Sequence, residues 1–312
     1  MLALVQAVLP LAMLLTRAPS PQMVAALPPP KVPEGWQAPD PKPLTVPDGT
    51  LLSTLTGSIA LALRLGCGVF VYGWRPEEFG VADESKYSLF GFRDGSSVLA
   101  SCARPEQPLK LYEYEASPYC RKVREACAML DLDVFCLPCP GARKGFAAQL
   151  GELGGKMMVP YLVDPNVTPT VAMYESDDII EYLFESYGPG KEAVPWLLKG
   201  PFAFWTCAFA AIVRGLAGGQ LDARARPDNP EMEPIVMWGY EGSPFVRPVR
   251  EKLNELGLPH LIRYCGRGSA KRDQMVAETG RFQVPFISDP NTGAALYESD
   301  AIVKYLDAVY TV

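Results

Sequence analysis

Histidine is all but missing from this chain: His260 is the only one in 312 residues. A single histidine excludes a His-rich metal site and leaves little basis for a Ser-His or Cys-His catalytic pair. An excess of basic charge is missing too. The net charge is −6, which weighs against a general affinity for nucleic acid or for anionic membrane surfaces. The eight cysteines lack the close spacing of a disulfide framework, so a reducing compartment, or one with managed thiols, is expected.

What the chain has instead is one long duplication. Tyr114–Glu125 reads YEASPYCRKVRE and Tyr240–Glu251 reads YEGSPFVRPVRE, with eight of twelve positions identical. Two further blocks follow in the same order. VPYLVDPN from Val159 matches VPFISDPN from Val284, and YESD from Tyr174 matches YESD from Tyr297. Ser117 and Ser243 lie 126 residues apart, Pro160 and Pro285 125, and Ser176 and Ser299 123. A repeat this collinear gives two copies of one small domain, in keeping with domains of roughly 100–150 residues. The period is too long for a solenoid, whose units run roughly 20–50 residues. Hydrophobic residues make up 48% of the chain, enough for two cores.

Ahead of the copies, residues 1–16 are uncharged and mostly apolar. They read as the core of a targeting sequence, although no basic residues precede them; a remnant of a longer precursor or a plain apolar helix is the other reading. Met23–Ala26 offers a small-residue cleavage site. Proline is dense from Pro19 to Pro47, which predicts an extended linker, so residues 1–50 form a targeting and Pro-rich stretch. Leu51–Trp74 is apolar with Arg64 as its one charge, and Pro195–Gly219 is apolar with Lys199 and Arg214. Each precedes a copy, and each has an arginine with glycine close behind.

In one reading both stretches span a membrane, at a cost of roughly 2.5–3.5 kcal/mol for each central arginine. In the other, which lets the copies pack as a pseudo-symmetric pair, the helices are buried against the domains or each other, or lie in the membrane interface. The expected organisation is then an apolar helix and connector at 51–108, a first domain at 109–190, an apolar helical linker at 191–233 and a second domain at 234–312.

Inside each copy the pattern is strand, helix, strand, helix, two strands, helix. In the first copy the strands are Leu109–Tyr114, Val134–Leu137, Tyr161–Val163 and Val171–Tyr174. The first helix starts at Ser117-Pro118, with serine at the cap and proline at the first helical position. A weak helix follows at Gly145–Leu153, and the last is capped by Ser176 or Asp177. The second copy follows suit. A βαβ unit followed by ββα is an α/β fold with helices packed on a compact sheet.

These three blocks, in this order and found twice, resemble the thioredoxin-like N-terminal domain of soluble glutathione transferases, with glutaredoxin features. Two copies in one chain resemble a plant and algal family of tandem domains, often plastid-targeted. The resemblance covers roughly Lys110–Gly188 and Ile235–Val312. It implies glutathione as the ligand, a chloroplast location and two tandem thioredoxin-like domains. In glutaredoxins the first motif residue is a nucleophilic cysteine, whereas here it is Ser117 and Ser243. A serine cannot exchange disulfides, but it can hydrogen-bond a glutathione thiolate, where free N–H groups and the helix dipole favour negative charge. The plain alternative is that both serines are helix caps.

Cys120 stands at the second cysteine position of the motif, and Val246 replaces it in the second copy. Cys139 and Cys265 match at the same offset just after the second strand, where Cys139 either approaches Cys120, takes up glutathione as a mixed disulfide, or is a small buried residue. Cys136 and Cys139 have the spacing of a metal-ligand pair, but no second pair is suitably placed, so no metal is expected. By resemblance, Val159-Pro160 and Val284-Pro285 hold the cis proline and the backbone that pairs with the cysteinyl part of glutathione. Glu175-Ser176 and Glu298-Ser299 match the segment that holds the γ-glutamyl group, and free N–H groups at a helix start suit its carboxylate. Arg143, Lys144, Arg267 and Lys271 are candidates for the glycine carboxylate or plain solvated charges.

The sequence expectation is therefore a glutathione-binding tandem thioredoxin-fold protein. It carries thiol-transferase or reductase chemistry centred on Ser117, Cys120 and Cys139 of the first copy, with protein thiols as candidate substrates. The rival is a non-catalytic interaction or scaffold protein, associated with a membrane. The large helical domain that completes the pocket of the transferases it resembles has no counterpart in the 46 residues between the copies.

Overall fold

A computed structural model describes residues 29–42, 45–47, 49–80, 86–142, 145–227 and 232–312. The targeting stretch and the candidates Arg143 and Lys144 lie outside the described residues. The first copy forms β3(Leu109–Glu113), α2(Pro118–Met129), β4(Val134–Pro138), α3(Ala147–Gly154), β5(Tyr161–Asp164), β6(Val171–Met173) and α4(Ser176–Tyr187). The second forms β7(Ile235–Gly239), α6(Val246–Glu255), β8(His260–Tyr264), α7(Lys271–Thr279), β9(Phe286–Asp289), β10(Ala294–Tyr297) and α8(Ser299–Tyr310). Before them come α1(Leu51–Leu63) and a hairpin, β1(Trp74–Phe79) with β2(Phe92–Ser96); α5(Gly200–Val213) lies between the copies. Each copy is a thioredoxin-like domain, so the α/β class and the tandem arrangement read from the repeat hold.

The two small sheets are not separate. They join edge to edge into one eight-stranded sheet, in the order β10-β9-β7-β8-β4-β3-β5-β6. The joint is an antiparallel pairing of β4 with β8, in which Val134 faces Ile262, Phe135 faces Leu261 and Cys136 faces His260. Phe135 and Leu261 are equivalent positions of the two copies, so a pseudo-twofold axis passes through that pair. Self-pairing of like edges is how a twofold interface hides strand edges that would otherwise recruit other chains.

Side-chain alternation on these strands fills a core on each face of the sheet. Leu109, Leu111, Val134 and Cys136 join the larger core with Val123, Ile179, Val249 and Ile302 of the helices on that face. Tyr112, Phe135, Leu137 and Cys139 point the other way, against Leu150 of α3. In both copies a buried aspartate ties the Asp-Pro-Asn turn to the last helix. Asp164 accepts from Tyr182 and Tyr187 at 2.7 and 2.5 Å, and Asp289 accepts from Tyr305 and Tyr310 at 2.6 and 2.7 Å.

The apolar stretches are shorter as helices than their composition promises. The α1 helix stops at Leu63 and α5 at Val213, because the residues that follow take left-handed backbone: Leu65 and Gly66 have φ of 50 and 75°, and Gly215 and Leu216 of 65 and 59°. At 13 residues α1 is ~20 Å long, against ~30 Å of bilayer hydrocarbon. Among the described residues no helix is long and apolar enough to cross a membrane.

The arginine at the end of each helix serves the packing. Arg64 donates to Glu125 of α2 at 2.6 Å and to Thr206 of α5, while Arg214 donates to Glu251 of α6 and Thr56 of α1, each at 2.5 Å. Every arginine thus holds the glutamate of the copy that follows it and a threonine of the other apolar helix. Two glycines close the same design. A Cβ on Gly68 would sit 2.8 Å from Cβ of Glu241, and one on Gly218 2.6 Å from Cβ of Glu115.

Beneath these loops lies a buried charge cluster shared by both copies. Glu115 meets Arg124 of its own copy at 3.0 Å, and Arg250 and Arg247 of the other at 3.1 and 3.4 Å, with Arg121 at 3.8 Å. Glu241 mirrors it, taking Arg250 of its own copy and Arg124 of the other. Burial alone raises the Glu115 carboxyl, but the four guanidiniums outweigh it and hold the group down at about 2. His260 sits at the joint with no exposed surface, where burial pushes it down to about 4 and keeps it neutral. Its Nδ1 lies 2.9 Å from the Leu258 carbonyl, the partner of a structural histidine.

Candidate functional site

In the first copy the motif serine is the N-cap of α2, whereas in the second Ser243 lies just ahead of α6, whose N-cap is Phe245. Ser117 Oγ accepts from the Cys120 amide, and Ser243 Oγ from the Val246 amide, each at 3.3 Å. An accepting hydroxyl still has its own proton to donate, so the cap and the thiolate contact are compatible. The Val159-Pro160 and Val284-Pro285 bonds are both cis. Glu175 and Glu298 have φ of 66 and 70°, left-handed values for non-glycine residues at the same place in both copies. Backbone of this kind costs of order 1–3 kcal/mol and clusters at ligand clamps.

The second copy gathers its candidates around one cavity of about 940 Å³. Ser243, Val284, Pro285, Glu298 and Ser299 all line it. That volume lies near the top of the range for small-molecule sites, roughly 300–1,000 Å³. The far wall comes from outside the repeated domains: Lys42 and Thr45 of the Pro-rich segment, and Lys86–Leu89 between the hairpin strands. The hairpin loop is held in place by the Tyr87 amide, which donates to Asp273 of α7 at 2.8 Å. Tyr87 packs on Phe282 with ring centroids 4.6 Å apart.

Sequence reasoning missed one buried basic residue of this cavity. Lys271 turns away to Asp133 at 2.5 Å, and Arg267 is neutralised by Asp94 at 2.6 Å. The next residue, Arg272, lines the cavity and is only 3% exposed. Its Nε donates to the Cys265 and Gly266 carbonyls at 3.1 and 2.9 Å, and its guanidinium lies 4.7 Å from the Tyr87 ring and 4.4 Å from Phe282. Among the described residues no carboxylate lies within ion-pair reach of it. A buried cation without a counter-ion is costly unless an anion arrives. At the 126-residue offset Arg272 falls opposite Phe146, so comparing the copies could not have found it.

The cysteines behave differently from the serines. Cys120, Cys139 and Cys265 have no exposed surface, and burial pushes Cys120 and Cys265 up to about 12. A thiol held so high is a poor nucleophile near neutral pH. Cys120 and Cys139 form no disulfide. Cys136 and Cys139 belong to cores on opposite faces of the sheet and do not converge on one ligand. The ligand atoms of Glu113, Cys136 and His260 do come within 4.8 Å of one another. Glu113, however, is already paired with Arg124, and that positive charge opposes a cation at the same place. Cys102 is the one cysteine that is not buried. A thiol-labelling reagent is therefore expected to react rapidly with about one equivalent in the native chain, and with the rest on unfolding. Rapid native labelling of Cys120 or Cys139 would contradict this.

A family model, the glutathione S-transferase N-terminal domain, matches residues 111–192 and 237–311, just over half of the chain. The chain belongs to this family. Both matched segments fall on the two copies, and the hairpin and the apolar helices α1 and α5 lie outside them. Among its relatives is the glutathione S-transferase-like protein tpcF of Aspergillus fumigatus, 38% identical over 81 residues, which are 26% of this chain and 36% of that protein. The glutathione S-transferase-like protein gedE of Aspergillus terreus is 40% identical over 73 residues, 23% of this chain and 32% of its own length. The chain thus spans about a third of the length of the curated relatives it matches. A Bombyx mori glutathione transferase in complex with GTT aligns with a TM-score of 0.24 at 24% identity, covering 30% of this chain and 42% of that one.

Proposed function

We propose that this member of the transferase N-terminal domain family binds glutathione, with the second copy as the more completely built site. The observation that carries the reading is the convergence of Ser243, Val284, Pro285, Glu298 and Ser299 on one cavity that also holds Arg272, which among the described residues has no carboxylate within ion-pair reach. In this reading Arg272 takes the glycine carboxylate, the backbone beside Pro285 takes the cysteinyl part, and Glu298 and Ser299 take the γ-glutamyl end. Ser243 donates to the thiolate. The buried state of Cys120 and Cys139 favours binding or group transfer through a serine-held thiolate over disulfide exchange by the protein's own thiols. The tandem arrangement is our ground for placing the chain with the two-domain plant and algal proteins. Calorimetry is expected to show glutathione binding to the full chain and its loss in a Ser176→Ala, Ser299→Ala double variant. No binding by the unsubstituted chain would sink the reading.

One observation favours a scaffold role beside this one. The apolar helices pack with their small side chains inward and their large ones outward. Gly57, Ala60, Ala203, Cys207 and Ala210 are buried, whereas Leu52, Leu55, Ile59, Trp205, Phe209 and Ile212 are each about half exposed or more. A contiguous exposed apolar face of this kind marks an interaction site, and its tryptophan and phenylalanine suit a lipid surface. Flotation with neutral vesicles is expected to carry the chain, and a Trp205→Ser, Phe209→Ser variant is expected to stay behind. Equal behaviour of the two would remove the membrane part of this reading.

A further inference from the structure

One oxygen of the Glu298 carboxylate is already engaged by the chain itself. Its Oε1 accepts from the Lys42 backbone amide at 2.5 Å and from Gln283 Nε2 at 2.7 Å. The counterpart, Glu175, is exposed, and among the described residues its carboxylate has no hydrogen-bond partner. The sequence explains why Lys42 makes this contact. It lies in Pro41-Lys42-Pro43, where both neighbours lack an N–H, so Lys42 carries the only backbone donor of the three. On the N-terminal side of that donor the segment is held against the second copy, and on the other side it bonds to itself. Trp36 packs on Tyr305 of α8 with ring centroids 5.2 Å apart, and Thr45 Oγ1 donates to the Lys42 carbonyl at 2.7 Å.

We propose that the Trp36–Lys42 strap is a resident competitor at the second site. The Lys42 amide occupies the acceptor that a ligand's ammonium group would use, and a ligand has to displace it. This rests on the reading of Glu298 and Ser299 as the γ-glutamyl end of a glutathione site. It makes the two copies unequal in a new way. The first has an open glutamate, and the second has a glutamate with one oxygen held by the chain's own linker. Binding at the second copy then releases the strap from α8's first turn, which couples the site to the segment that precedes the folded domains.

The test uses the full chain with Ser176→Ala, which silences the first copy, and adds either Lys42→Pro or Lys42→Ala. Lys42→Pro deletes the N–H, whereas Lys42→Ala keeps it. A hydrogen bond to a charged acceptor sets the scale, so glutathione is expected to bind Lys42→Pro roughly tenfold to a hundredfold more tightly. Lys42→Ala removes the same cavity-lining side chain but keeps the N–H, so it is the reference against which the tighter binding of Lys42→Pro is read. Hydrogen exchange is read in parallel. The Lys42 amide is expected to be protected in the free protein and to lose protection when glutathione saturates it. Equal or weaker binding by Lys42→Pro overturns the proposal, as does an unprotected Lys42 amide in the free protein. If no variant binds glutathione while the Lys42 amide is protected, the glutathione reading fails and the competitor role fails with it, even though the contact itself is real.

Discussion

Replacing Glu115 with alanine is expected to destabilise the whole chain by about 3–5 kcal/mol, a large share of the ~5–15 kcal/mol by which folded proteins are stable. The residue is 2% exposed and stands among four arginines that are as deeply buried. Arg124 and Arg121 come from its own copy and Arg247 and Arg250 from the other, so its loss strands positive charge on both sides of the joint. Urea unfolding monitored by fluorescence measures the cost. A midpoint shift worth less than about 1 kcal/mol would show that the cluster is incidental.

The same residue has a pH signature with a fixed sign. Its folded-state value is depressed to about 2, below the ordinary 4.5. The stability it contributes is complete above the ordinary value and is lost as the pH falls from there towards about 2. A Glu115→Gln variant has no such proton to take up, so its stability is expected to be lower at neutral pH and flatter across that acid window. The cluster also explains why the copies stay paired. Arg124 and Arg250 each bridge to the other copy's glutamate, so neither domain has a complete set of counter-ions alone.

The parts that the sequence made legible are those where local chemistry decides the structure. Ser-Pro fixes a helix start, Asp-Pro-Asn fixes a turn, and both recur with the spacing of one fold. The Tyr-Glu-Ser-Asp block marks the last helix in each copy, and its glutamate takes the same left-handed backbone twice. The joint of β4 with β8 was not legible, because Phe135 and Leu261 read as ordinary strand residues and nothing local marks a strand edge that pairs with its own copy. The repeated charges of the YE…R..RE block did carry a signal. Four charged positions kept identical on a helix start suit a solvated face, and only the tertiary structure turns them inward. Arg64 and Arg214 looked costly in apolar helices until their glutamates appeared across the packing. The helices are shorter than the apolar stretches, because left-handed turns at Leu65-Gly66 and Gly215-Leu216 end them where hydropathy runs on.

Removing the Arg272 side chain is expected to weaken glutathione binding at the second copy about a hundredfold or more. The scale is that of a lost charge-assisted contact, worth ~3 kcal/mol when a guanidinium holds a carboxylate through two N–H groups. The geometry favours this fork. Nε is already committed to the Cys265 and Gly266 carbonyls, which aims the two terminal nitrogens, and the rings of Tyr87 and Phe282 hold the plane. Lysine at the same position keeps the charge but neither the fork nor the stacking, so Arg272→Lys is expected to fall between, about tenfold weaker than the parent. The ligand side separates recognition from support of the fold. γ-Glutamylcysteine lacks the glycine carboxylate, so it is expected to bind the parent chain weakly and the Arg272→Ala chain no more weakly still. Coupling between the two deletions isolates the contact, since damage to the fold would lower the affinity of both ligands alike. Equal losses for glutathione and γ-glutamylcysteine on substitution of Arg272 would mean that the arginine only props the cavity wall, and the carboxylate anchor would have to be sought elsewhere on the rim.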